Sequence, residues 1–84
     1  MELKDTIELM NSQDYKDRFK AEYYQTKIRK EKLSNLITRR EEGKLSFTPT
    51  CPMWLLKNQE TIMEHYLDVL EQRAKLEKIN LEEK

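Results

Sequence analysis

The side chains with reactive potential are few. Cys51 is the single cysteine and His65 the single histidine, so a thiol–imidazole pair is arithmetically possible, but the two are far apart in sequence and no third group presents itself to orient the base. Cys51 stands at a helix start, where reactive thiols do occur, yet a packed or capping cysteine is the ordinary occupant of such a position. His65 lies among Glu64, Tyr66 and Asp68, with no second His or Cys at metal-ligand spacing. Glu60, Glu64 and Glu71 occupy one broad side of a helix, as carboxylates on a solvated charged face do. With Gly43 as the only glycine there is no phosphate-cradling loop. This kit predicts no enzyme, no metal and no cofactor.

The elements that position these groups are organised around the stretch from Gly43 to Trp54. It holds the 1 Gly, both of the 2 Pro, the 1 Cys and the 1 Trp of the 84 residues. Gly43 can take the left-handed conformation that closes a helix. Pro52 fits the first turn of the next helix, with Thr50 or Cys51 as its N-cap. The prediction is an elbow over residues 43–52 between two long helices, about 13–42 and 53–78, preceded by a short amphipathic helix over about 3–11.

In that first helix Leu3, Ile7 and Met10 recur at helical spacing and are expected to face inward as a lid. Asn11 and Ser12 mark a break, with Ser12 available to cap the long helix beyond it. From Tyr15, the residues Phe19, Tyr23, Thr26, Lys30, Leu33 and Ile37 step by four and three, a heptad-like seam with a polar middle. Tyr24 and Ile28 widen that face. The last helix carries Leu55, Leu56, Gln59, Ile62, Met63, Tyr66, Leu67, Val69, Leu70, Ala74 and Leu76, a face broad enough for more than one neighbour. The tail from Glu77 to Lys84 is expected to fray. The fold class is therefore all-α: one domain over 1–84, a long antiparallel helical hairpin with a short N-terminal helix. Because a two-helix hairpin cannot cover its own apolar stripe from both sides, it is expected to assemble as a homo-oligomeric helical bundle.

Hydrophobic residues make up 37% and charged residues 38%, the balance of long helices with wet outer faces. The net charge is +0, which argues against generic DNA or RNA binding. Along the chain the balance is uneven: residues 13–44 carry ten Lys or Arg against six Asp or Glu, +4, and each flank is at −2. A basic helix of this kind can face a small anion or simply carry i,i+4 pairs. No run approaches the ~18 apolar residues of a membrane span, and one cysteine forms no internal disulfide. An intracellular, soluble protein is expected.

The opening Met1-Glu-Leu-Lys-Asp-Thr-Ile-Glu-Leu-Met10, the run from Tyr15 to Arg29 and the elbow Phe47-Thr-Pro-Thr-Cys-Pro52 resemble a family of short helical proteins encoded by phages and prophages of gut bacteria. Lys30 stands where that family places an aromatic. The stretches Pro52-Met-Trp-Leu55 and Met63-Glu-His-Tyr-Leu67 are also similar to the phage hairpin proteins that act as sponges for immune cyclic nucleotides. That second resemblance implies an oligomer in the cytoplasm of an infected bacterium that holds a small nucleotide ligand at its interfaces and does not cleave it.

A sponge needs cations and hydroxyls for phosphates and flat rings for bases. Lys27, Arg39 and Arg40 offer charge, Thr48 and Thr50 hydrogen bonds, and Tyr23, Tyr24 and Trp54 stacking. Each has a plainer reading: Tyr23 as seam packing, Trp54 as the plug under the elbow, Arg39 and Arg40 as cations at a helix C-terminus, Thr50 as a cap. A reading from another class is an adaptor that docks its last helix on a host or phage protein through Leu55, Ile62, Tyr66 and Leu70.

Overall fold

A computed structural model describes residues 1–81, and all regular structure among them is helical. A 3-10 turn over Leu3–Thr6 runs into α1 (Ile7–Met10), followed by α2 (Tyr15–Glu41) and α3 (Met53–Glu77). α2 and α3 lie antiparallel. Three contacts mark the register: Tyr23 with Glu71, Ser34 with Glu60, and Glu41 with Lys57, so each step down α2 is a step up α3. The molecule measures 43 × 24 × 22 Å, close to the ~40 Å expected of a helix as long as α2.

α2 starts at Tyr15 because Asp14 is its N-cap, its carboxylate accepting the Lys16 N–H at 3.0 Å. Ser12 braces that cap by accepting from the Asp14 N–H and donating to Asp17. At the other end Gly43 takes φ +70, and the Gly43 and Lys44 N–H groups bond the Arg40 and Arg39 carbonyls, the paired pattern of a Schellman closure. The helix therefore ends at the glycine, as its position predicts. α3 begins differently from expectation. Neither Thr50 nor Cys51 caps it: Pro52 occupies the N-cap in extended conformation, its carbonyl accepting from Leu55 and Leu56, with no side-chain cap. The pyrrolidine ring already holds the φ this position needs.

The core lies toward the end of the hairpin away from the elbow, where Phe19, Tyr23 and Tyr24 of α2 meet Leu67, Leu70 and Ala74 of α3. On α3 the inward positions Met53, Leu56, Glu60, Met63, Leu67, Leu70, Ala74 and Glu77 alternate by three and four, and all are buried or half-buried. The expected α2 seam is largely the inward face, although Tyr15 at its start is 49% exposed. In its polar middle Thr26 donates back to the Glu22 carbonyl at 2.8 Å, and one residue past Leu33 Ser34 donates across to the Glu60 carboxylate of α3.

Two further expectations fail. The first helix does not turn Ile7 and Met10 inward; both are exposed, while Thr6 is fully buried and Leu9 packs on the core. The cause is the 3-10 turn at its start, which places Leu3 and Thr6 on one line with three residues per turn. Nor does the tail fray over its described part. Lys78 adopts φ 58, the Ile79 N–H bonds the Ala74 carbonyl at 2.8 Å, and Ile79 falls to 6% exposure in the core, with Leu81 packed beside it. Residues 82–84 of the expected tail lie outside the described residues.

Candidate functional site

The tail's return forms a hollow. A cavity of about 460 Å³ opens between α2 and the end of α3, lined by Tyr23, Glu71, Ala74, Lys75, Ile79, Asn80 and Leu81. That volume lies in the range of small-molecule sites, roughly 300–1,000 Å³. Each lining group is placed by a local cause. Glu71, Ala74 and Lys75 recur at helical spacing on α3, which sets them on one side. Ile79, Asn80 and Leu81 are brought across by the left-handed Lys78. Tyr23 is held by its neighbours: its ring meets Tyr24 edge-on at 5.6 Å and 70°, and its hydroxyl donates to Glu71 Oε2 at 2.6 Å.

The site is chemically mixed. Ala74, Ile79 and Leu81 give an apolar wall, Glu71 and Tyr23 a hydrogen-bonded acceptor and phenol, Lys75 a cation, and Asn80 an amide able to donate and accept. Lys27 stands next to it, its Nζ 6.0 Å above the centre of the Tyr23 ring. On the opposite side of the seam Arg73 lies 4.9 Å over Phe19 while bonding Glu77 at 3.0 Å, so that arginine is spent on packing. No cluster of His, Cys, Asp or Glu able to hold a metal occurs among the described residues, and none of their helices is long and apolar enough to cross a membrane.

The eight candidate residues separate into groups. Tyr23, Tyr24 and Lys27 sit together beside the cavity; Tyr23 lines it and Tyr24 is buried behind it. Arg40 and Thr48 share the second hollow, about 170 Å³ at the elbow, with Gly43, Leu45, Phe47 and Pro49. There Arg40 donates to the Cys51 carbonyl at 3.1 Å, tying the elbow to α2. Arg39, Thr50 and Trp54 line neither hollow. Trp54, at 70% exposure, is no plug under the elbow. From Tyr23 to Arg39 is roughly 24 Å of helix, so the two ends cannot hold one small molecule within a single chain. Sequence reasoning missed Lys75 and the Ile79–Leu81 segment. The available signal was an apolar residue just past a charged helix end, which commonly packs back on the last turn.

A family model described as Sequestin matches residues 13–76, which covers α2, the elbow and nearly all of α3 and stops short of Ile79–Leu81. No curated protein and no solved structure matches the chain.

Proposed function

The chain belongs to the Sequestin family, and we propose that it captures a small nucleotide signal of bacterial immunity, of the cyclic nucleotide or cyclic ADP-ribose type, and holds it without cleaving it. In this reading it is a phage anti-defence protein that acts as a homo-oligomer in the cytoplasm of the infected cell. The family's name speaks of sequestration. The observation that supports extending the reading to a nucleotide is the cavity, whose lining offers apolar side chains, an amide, a cation and a carboxylate. A base lies against Ile79 and Leu81, with the Asn80 amide at its edge. Lys75, with Lys27 close by, meets phosphate, and the Glu71 carboxylate accepts from sugar hydroxyls. The thin set of nucleophiles and bases fits capture without turnover.

The test is isothermal titration with cyclic dinucleotides and cyclic ADP-ribose isomers, alongside native mass spectrometry of protein from cells that make such signals. A discrete adduct of a few hundred daltons, released on denaturation, is expected. Lys75→Ala removes one charge-assisted hydrogen bond, about 1.5–3 kcal/mol, and is expected to weaken binding at least tenfold while leaving the helical spectrum unchanged. Absence of heat with every one of these ligands overturns the reading. The adaptor alternative draws on the exposed Leu55, Ile62 and Tyr66 but loses Leu70, which is 1% exposed and belongs to the core. Recovery of one stoichiometric protein partner would favour it.

A further inference from the structure

α3 carries a second seam that nothing among the described residues covers. Trp54, Leu55, Ile62, Tyr66, Val69 and Leu76 are exposed by 40% to 85%. Leu55, Ile62, Val69 and Leu76 recur every seven residues, and Gln59, Tyr66 and Arg73 fall at the intervening step. This is the spacing of a coiled-coil contact line, and it runs the length of the helix beside the line that packs on α2. Taking ~150–250 Å² for a fully exposed large side chain, the six leave roughly 600 Å² in water. That is at the upper limit of the ~300–600 Å² found for the largest patch of an ordinary monomer. With its flanking residues it approaches the ~800 Å² each partner gives to a stable interface.

The strip is also nearly free of charge, in a chain with 38% charged residues. Asn58, His65 and Gln72 flank it. Glu60, Glu64, Asp68 and Glu71 lie on the inward line or beyond it. Arg73, the one cation on it, is already joined to Glu77 at the strip's end. Depletion of charge at the centre of an apolar strip is the compositional mark of an interface core.

We infer that two copies of this chain pair α3 against α3, antiparallel, about a twofold axis passing between His65 and Tyr66. In this register Leu55 faces the partner's Leu76 and Ile62 faces the partner's Val69, so all four heptad positions are matched at once. The antiparallel sense also sets opposite helix-dipole ends side by side, whereas a parallel pair would join like ends. The inference deepens the self-associating part of the proposed function and does not depend on the ligand.

Val69→Glu is expected to convert a sedimenting dimer into a monomer with an unchanged helical spectrum, because Val69 is 52% exposed and outside the core. In a Cys51→Ser background, the double variant Ile62→Cys/Val69→Cys is expected to form a covalent dimer on mild oxidation. Neither single variant should do so, because each thiol would then lie roughly 10 Å of helix from its own copy. A monomer for the unaltered protein at about 100 µM, an assembly that Val69→Glu leaves intact, or single variants that cross-link as readily as the double one would each overturn the pairing. Ligand titration is scored separately: silence there removes the capture reading and leaves the interface standing.

Discussion

Lys78 is the residue on which the cavity turns. A non-glycine side chain in the left-handed region carries a steric cost of roughly 1–2 kcal/mol, and here it is held by Ile79 entering the core and by the Ile79 N–H on the Ala74 carbonyl. Lys78→Gly is expected to raise stability by about 0.5–1 kcal/mol, read as a higher urea midpoint, because the strain disappears and the reversal is kept. The rise is limited by the greater freedom that glycine brings to the unfolded chain. At this scale the sequence is only half legible. Tyr23 is readable as an inward residue from its spacing, but its bond to Glu71 joins groups 48 residues apart and follows from no local pattern. Lys78 is harder still, since a lysine carries no mark of a left-handed turn as Gly43 does. The only hint is the isoleucine just after it.

Among the elements, the first helix is a lid on α2. Thr6 and Ala21 are both fully buried, and the Gln25 amide, one turn beyond Ala21, donates to the Thr6 hydroxyl at 3.2 Å. Two small residues let the backbones approach, so Ala21→Leu should push the lid away and cost about 1–3 kcal/mol, seen as a lower melting temperature with most helicity retained. The existence of all three helices is legible because every strong breaker lies outside α2 and α3. Their ends are less so. α2 starts where Asp14 rather than Ser12 takes the capping position, and α3 where proline itself stands at the cap. The inward face of the first helix is misread because a period of 3.6 is applied to a segment that starts with a period of three.

For the whole molecule, the two contact lines on α3 differ in what meets them: one closes the hairpin against α2, and the other stays exposed, the line on which the inferred pairing rests. A broad apolar face on the last helix is visible in the sequence, but which part of it folds inward is not, because both lines have the same spacing and differ only in which of them α2 reaches. The cavity is illegible for a related reason. Its walls come from α2, from α3 and from the segment beyond, and they meet only once the hairpin is closed and the chain has turned at Lys78. That turn has a practical outcome. Lys78 is exposed, and the peptide bond after it is a trypsin site whose cleavage detaches the Ile79–Leu81 wall from α3. A protease must open that turn to cut it, and a nucleotide seated against Ile79 and Leu81 must keep it shut. Occupancy of the cavity is therefore expected to slow digestion at this one bond and leave cleavage after Lys44, in the elbow, at its former rate.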